Sequence, residues 1–272
     1  MMSDGTTQDE AVLLLDQRDD VLVATLNRPR KGNSLSTELI VAIGELTTEL
    51  RRPQGRFTAV KAVVITGSGD KVFSAGADIN DLRGLSESAA RKQMLRGQAV
   101  FDSLEDARQV VIAAVNGIAF GGGLELAMAC DLRIAAPTAT LGQPEITLGN
   151  LPGWGGTQRL PRLVGEGRAL EMILTGEPIG AARAADIGLV NSVAENPLDA
   201  AIDLAHRIAA RSGTAVDAAK QAVYAGGRLG ITRGLEIEAA LVGKCSVSPE
   251  QQAAVQAFFD RKKRPTTEKE SQ

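Results

Sequence analysis

The chain is poor in aromatic residues and in cysteine. Aromatic side chains make up 3% of the 272 residues, which leaves few rings to stack on nucleic-acid bases. The formal net charge is -3, so the basic excess typical of nucleic-acid-binding proteins is missing as well. Cys130 and Cys245 lie far apart without CxxC spacing. That spacing argues against a disulfide framework or a zinc site.

Long hydrophobic runs are also lacking. No stretch approaches the roughly 20 apolar residues that a membrane-spanning helix needs. Residues 1–10 are polar and acidic, with neither an apolar signal segment nor an Arg-rich pattern. We therefore expect a cytoplasmic protein. Hydrophobic residues form 44% and charged residues 23% of the chain, which is typical of a globular protein.

Strand-like apolar segments alternate with amphipathic helical segments over the first two thirds of the chain. Residues 11–27 predict a strand hairpin, and Val60–Thr66 and Val110–Val115 predict buried strands. Ser36 is a candidate N-cap of a helix with one apolar face. This alternation indicates an α/β fold.

The strand pattern stops near Pro197, and the remaining segments are helical. The predicted helices cover residues 200–211, 215–225, 234–243 and 249–264. We therefore predict a core, residues 1–196, followed by a helical region, residues 197–272.

Two glutamates stand beside segments of small residues. Glu125 ends the segment Ala119–Glu125, and Glu145 ends Gly142–Glu145. Two carboxyl groups of opposite protonation state can divide the removal and the delivery of a proton. In a desolvated cleft they would share one proton, because adjacent negative charges repel each other.

The small-residue turns suggest the other half of the chemistry. Ser74–Asp78 and Gly121–Gly123 each follow an apolar run, and small residues let a substrate approach the backbone. The N–H groups of Ala77 and Gly122 are candidate donors to an oxyanion, each worth about 2.7–4 kcal/mol. Such donors suit water addition to an α,β-unsaturated thioester, because that reaction places negative charge on the carbonyl oxygen.

These motifs resemble those of the enoyl-CoA hydratase (crotonase) family. The matching segments are Asn27–Pro29, Ser74–Ile79, Ala113–Gly117, Gly121–Ala127, Gly142–Glu145 and Pro152–Leu160. The resemblance implies an α/β crotonase-like spiral of ββα repeats with a C-terminal helical trimerisation region. It also implies a homotrimer, or a hexamer built as a dimer of trimers.

The resemblance further implies roles for individual residues. Glu125 would help to activate water, while Glu145 would hold that water and exchange the proton at the α-carbon. Ala77 and Gly122 would be the oxyanion-hole donors. The residues expected to bind CoA or substrate are Arg28, Arg30, Lys31, Ala75, Gly76, Asp78, Ile79, Asn80, Gly121, Phe258 and Arg261. Coenzyme A would be part of the substrate, and neither a metal nor a redox cofactor is expected.

The sequence departs from the family pattern at a few positions. Asn80 stands where many relatives carry a charged residue, which weakens the CoA contact expected there. Phe120 and Trp154 are bulky for positions near the acyl pocket. The preferred acyl chain length therefore cannot be carried over from relatives.

Other interpretations remain open. A GxGxxG dinucleotide loop is disfavoured, since Leu126 occupies the place of its third glycine. The cations Arg28, Arg30 and Lys31 fit a solvated loop as well as a phosphate contact. A different crotonase reaction (isomerisation, thioester hydrolysis or a lyase step) and a non-catalytic RNA-binding protein are the alternatives. We predict an enoyl-CoA hydratase with no nucleic-acid or membrane partner.

Overall fold

A computed structural model describes residues 11–263, without the side chains of Leu82 and residues 261–263. The strands in chain order are β1 (Leu13–Arg18), β2 (Val21–Leu26), β3 (Ala62–Gly67), β4 (Val72–Ser74), β5 (Val110–Val115), β6 (Ile118–Phe120), β7 (Leu132–Ala135), β8 (Thr140–Gly142), β9 (Ile179–Gly180) and β10 (Ser192–Val193). The helices are α1 (Thr37–Leu50), α2 (Ile79–Leu82), α3 (Glu87–Glu105), α4 (Gly122–Ala129), α5 (Gly156–Val164), α6 (Glu166–Thr175), α7 (Ala181–Asp186), α8 (Pro197–Ala209), α9 (Gly213–Leu229), α10 (Ile231–Ser246) and α11 (Pro249–Lys263). Short 3-10 helices cover Pro29–Lys31 and Pro144–Leu148.

The strands form two sheets, and from β3 to β8 successive strands along the chain belong to the larger and the smaller sheet in turn. The larger sheet has the order β1-β2-β3-β5-β7-β10, and the smaller has the order β4-β6-β8-β9. Each of β3, β5 and β7 in the larger sheet is followed at once by a short strand of the smaller sheet, and a helical segment comes next. This repeat confirms the predicted α/β spiral of ββα units.

The larger sheet is buried because its central strands are apolar throughout. Every residue of β3 and β5 is buried, as expected for parallel strands covered on both faces. Helix α1 packs its predicted apolar face into the same core. The Ser36 side chain caps α1 by accepting the Leu39 N–H at 3.3 Å. The predicted hairpin is confirmed by the antiparallel pairing of β1 with β2.

The described residues divide into two compact units, the first ending at Ile208 and the second beginning at Ala209. The division lies later than the boundary predicted near Pro197, and most of α8 belongs to the first unit. Within the second unit, α9 and α10 approach closely, because a Cβ added to Gly234 would lie 2.8 Å from the Gly226 Cα. Among residues 11–263, no helix is long and apolar enough to cross a membrane.

Candidate active site

Glu125 lies in the first turn of α4 and is 2% exposed. The turn into α4 is made by Gly121, whose φ of 50° favours glycine. One carboxylate oxygen, Oε1, accepts the backbone N–H groups of Trp154 and Gly156, each at 2.7 Å. Within residues 11–263, no protein group donates to the other oxygen, Oε2. The loop before α5 therefore fixes one oxygen and leaves the second for proton exchange.

Glu145 lies half-buried on the 3-10 helix that follows β8. The side chain of Gln143 is fully buried, and the amide orientation that satisfies its neighbours donates to Glu145 Oε1 at 3.0 Å and Oε2 at 3.1 Å. A Cβ added to Gly121 would lie 2.8 Å from Glu145 Oε1. The Glu145 carboxylate thus lies against the turn that leads into Glu125.

Burial shifts both carboxyl groups towards the protonated form. Desolvation raises the pKa of Glu125 to about 7, and repulsion from Glu145 adds to this effect. The N–H groups of Gly156 and Trp154 and the charge of Arg159 oppose the rise. Desolvation also raises the pKa of Glu145. The pair can therefore hold one proton between them near neutral pH.

The two candidate oxyanion donors lie next to each other. A Cβ added to Gly122 would lie 3.3 Å from the Ala77 nitrogen, and one added to Gly76 would lie 3.5 Å from the Gly122 nitrogen. Among the described residues, neither N–H group donates to a protein acceptor. Gly122 is also the first residue of α4, where the helix dipole favours negative charge.

An ion pair braces the turn that carries Ala77. The Arg28 guanidinium contacts Asp78 Oδ2 at 2.9 Å and donates to the Ser34 carbonyl at 2.7 Å. Burial alone would raise the pKa of Asp78, but hydrogen bonds from Arg28 and Asn80 and the charge of Arg28 lower it overall. The guanidinium predicted to meet CoA phosphates therefore also has a structural partner.

The other predicted CoA contacts are spread over different surroundings. Arg30 and Lys31 are exposed on the first 3-10 helix, Ala75 and Asn80 are exposed beside the Ala77 turn, and Gly76 is buried within it. Ile79 is 66% exposed. Phe258 lies on α11 in the second unit, and the side chain of Arg261 lies outside the described residues. Their roles in CoA binding stay predictions.

Three further side chains support the carboxyl pair. Gln143 and Arg159 lie within the motifs that carried the family resemblance, yet no role was predicted for either residue. Gln143 is a polar residue between Gly142 and Pro144, which is the signal that could have singled it out, whereas Arg159 follows the polar Gln158 and has no such signal. Trp154 is 4% exposed, and its ring meets Phe101 edge-on at 5.7 Å. A Cβ added to Gly122 would lie 2.6 Å from the same ring, so Trp154 packs directly against the oxyanion turn.

Proteins of known sequence and structure are similar to this chain over most of its length. The family model described as enoyl-CoA hydratase/isomerase matches residues 16–269. The chain is 42% identical over 253 residues to a protein named crotonyl-CoA hydratase from Syntrophomonas wolfei, covering 92% of this chain and 96% of that protein. It is 40% identical to a short-chain-enoyl-CoA hydratase from Clostridium acetobutylicum, with coverages of 92% and 95%.

A solved structure agrees with these sequence matches. The crystal structure of an enoyl-CoA hydratase from Bacillus anthracis superposes with a TM-score of 0.85 at 38% identity, covering 92% of this chain and 96% of that one. Matches of this extent in sequence and in fold agree with the geometry of the carboxyl pair and the two turns. The chain belongs to the enoyl-CoA hydratase/isomerase family.

Proposed function

We propose that this protein catalyses the reversible addition of water to a trans-2-enoyl-CoA, giving a 3-hydroxyacyl-CoA. The observation that carries the proposal is the convergence of two carboxyl groups with raised pKa values on the Gly121 turn, beside two adjacent backbone N–H groups. Relatives named crotonyl-CoA hydratase and short-chain-enoyl-CoA hydratase support it.

The oxyanion turns would bind the thioester carbonyl. Its oxygen accepts hydrogen bonds from the N–H groups of Ala77 and Gly122. When water attacks the β-carbon, electrons of the double bond move towards this oxygen, and the two donors stabilise the growing negative charge. The ground-state carbonyl carries less charge, so the gain is larger in the transition state.

The carboxyl pair would move the protons. Oε2 of ionised Glu125 takes a proton from water while the water oxygen bonds to the β-carbon. Protonated Glu145 gives a proton to the α-carbon. Each product then carries one oxygen and two hydrogens more than its substrate, and one proton remains on the pair. A base with a pKa near 7 suits this work at neutral pH.

The substrate would bring coenzyme A with it, bound by the Ala77–Asn80 segment and the exposed cations Arg30 and Lys31. Addition of water changes no net oxidation state, so we propose that the reaction uses no redox cofactor. We also propose that the N–H groups of Ala77 and Gly122, rather than a metal, stabilise the charge on the carbonyl oxygen. We also propose a cytoplasmic location.

The test is an assay of crotonyl-CoA hydration in the presence of a chelator. Hydration is measured as the loss of absorbance of the conjugated thioester. Glu125→Gln and Glu145→Gln should each lower kcat by about 10² to 10⁴, the usual contribution of a general acid or base. The amide oxygen that Glu125→Gln introduces can still accept the two N–H groups, so the fold should be retained.

The matched measurement uses a 3-enoyl-CoA substrate with the same three proteins. Isomerisation needs only one carboxyl group. An isomerase would therefore be favoured if the wild type turned over the 3-enoyl substrate faster than crotonyl-CoA and if Glu145→Gln stayed active on the 3-enoyl substrate. Wild-type hydration rates in either variant would contradict the roles given to the glutamates. Tight RNA binding without turnover would favour the non-catalytic alternative.

We further propose that the protein is a homotrimer, or a hexamer of paired trimers. The second unit supports this, because α9–α11 expose large apolar side chains on a single chain; they include Val223, Leu229, Ile231, Leu235, Val242, Phe258 and Phe259. Contiguous exposed apolar patches mark association surfaces, and Ile231, Leu235 and Val242 recur at helical spacing on one side of α10. Light scattering after size exclusion should give three or six chains per particle, and a monomer would contradict the proposal.

A further inference from the structure

We propose that Arg159 is a positioning residue for the hydration reaction, because its guanidinium ties the loop that holds Glu125 to two carboxylates of α3. This inference rests on the proposed function, in which Glu125 is the base. Arg159 would touch neither the substrate nor the reacting atoms, and it would act through the Trp154–Gly156 segment.

Each of three guanidinium nitrogens has its own partner. Nη1 donates to the Trp154 carbonyl at 3.0 Å, Nη2 donates to Asp102 Oδ1 at 2.6 Å, and Nε donates to Glu105 Oε1. The Arg159 side chain is 12% exposed and that of Glu105 is 10% exposed, whereas Asp102 lies largely in solvent. A planar, charged fork is the side-chain shape that can serve three such directions at once.

The loop geometry is adapted to this guanidinium. Gly155 has a φ of 109°, and a Cβ added there would lie 2.1 Å from Arg159 Nη1. The backbone of the same residue starts α5, since its carbonyl accepts the Arg159 N–H at 2.8 Å. The guanidinium therefore lies directly over the glycine that separates the two donors to Glu125.

Trp154 connects the Arg159 guanidinium to the Glu125 carboxylate. Its carbonyl accepts from Arg159 Nη1, while its N–H donates to Glu125 Oε1. Gly156, the other donor, is the first residue of α5, the helix that carries Arg159. A shift of the guanidinium would therefore move both N–H donors relative to the carboxylate.

Two charges act on Glu125 in opposite directions, and that of Arg159 favours the ionised form that the reaction needs. Glu145 faces it from the 3-10 helix and disfavours its ionised form, whereas Arg159 faces it from α5 and favours that form. Asp102 and Glu105 on α3 partly balance the charge of Arg159. Loss of the guanidinium should therefore make Glu125 a carboxylate only at higher pH.

The experiment compares Arg159→Gln and Arg159→Lys with wild type and with Arg162→Gln. Arg162 is an exposed arginine on the same helix, so its substitution controls for the loss of a positive charge from α5. In Arg159→Gln we expect kcat for crotonyl-CoA to fall by roughly tenfold or more, since small misplacements of a catalytic group are costly. KM should change by less than about twofold, because binding of the thioester is not touched.

The pH profile separates positioning from a general loss of structure. The acidic limb of kcat/KM should move to higher pH in Arg159→Gln, and Arg159→Lys should recover part of the rate and of the shift. Trp154 is the single tryptophan of the chain and donates to Glu125. Its fluorescence should therefore titrate with Glu125, lose that titration in Glu125→Gln, and show a raised midpoint in Arg159→Gln.

Each result has a defined meaning. An unchanged acidic limb and fluorescence midpoint in folded Arg159→Gln, or an effect confined to KM, would overturn the inference. If Arg159→Gln does not fold, the acidic limb of Arg159→Lys must lie at higher pH than that of wild type. A wild-type pH profile in Arg159→Lys would then overturn the inference. Absence of turnover in both wild type and Arg162→Gln would instead contradict the proposed function, while the fluorescence titration would still report on Arg159.

Discussion

The two carboxyl groups of the site are held by different kinds of structure. Glu125 lies on α4, an eight-residue helix in which every residue is buried. Its anchors are backbone N–H groups 29 and 31 residues further along the chain. Glu145 lies on a five-residue 3-10 helix without a buried residue. Its anchor is the side chain of Gln143, two residues earlier.

This difference suggests how the two groups share the work. Backbone donors in a buried loop cannot rotate away, so the position and the protonation of Glu125 are fixed by the tertiary fold. The Glu145 carboxylate depends on one side-chain amide and on the space beside Gly121. We expect Glu145 to be the more adjustable partner, and Glu125 to be the one whose chemistry responds to distant changes in the fold.

Among the substitutions that test this difference, Gly121→Ala should have the largest effect. The added Cβ would meet Glu145 Oε1 at 2.8 Å and displace that carboxylate, so kcat should fall by about 10²-fold, the usual cost of roughly 1 Å of misplacement. Repulsion between the glutamates would also weaken. The pKa of Glu125 should then fall, and the acidic limb of kcat/KM should move to lower pH, opposite to the shift expected for Arg159→Gln.

Gly149→Ala is the control for backbone strain. Gly149 ends the 3-10 helix of Glu145 with a φ of 70°, and nothing lies within 4 Å of an added Cβ. Both substitutions strain the backbone, more at Gly121, whose ψ is -125°, than at Gly149, whose ψ of 27° lies in the left-handed helical region. Only the substitution at Gly121 should move the acidic limb. If the acidic limb of kcat/KM lay at the same pH in the two variants, the position of the Glu145 carboxylate would not depend on the Gly121 turn.

The long buried strands and the first helix could be predicted from the sequence. β3 and β5 are continuous β-branched and small apolar runs, and α1 has a capping serine and one apolar face. The strands β4, β6 and β8 were not predicted, because segments of three residues are too short to show alternation. Helices α5–α7 were missed as well, since Pro161 lies inside α5, Gly167 lies inside α6, and α7 spans only six residues.

The site shows the same limit. The motifs identified Glu125, Glu145, Ala77 and Gly122, but no sequence pattern predicts that Glu125 accepts from residues beyond the second glutamate. The contact between Arg159 and α3 spans 54 and 57 residues and depends on the tertiary fold alone. The ion pair of Arg28 with Asp78 was likewise not suggested by the charge pattern, and the contact of Arg28 with CoA stays a prediction.

The two glutamates should also differ, by a smaller effect, in how they make the free energy of unfolding depend on pH. The pKa of Glu125 is raised from 4.5 to about 7 in the folded chain. The folded state therefore binds more protons than the unfolded state between these values, and the free energy of unfolding should decrease as pH rises through this window. Below about pH 4.5 the stabilisation by the protonated form is complete, and it is lost as pH passes about 7.

Urea unfolding of wild type, Glu125→Gln and Glu145→Gln at several pH values between about 5 and 8 measures this effect. Glutamine does not titrate, so Glu125→Gln should lose most of the pH slope and become more stable than wild type at the alkaline end. Glu145→Gln should change the slope less, because that side chain is only half-buried. Protein concentration must be held constant, since association links stability to concentration. Equal slopes in wild type and Glu125→Gln would mean that solvent reaches the Glu125 carboxyl group, and the contrast between a carboxyl group held by the fold and one held locally would no longer hold.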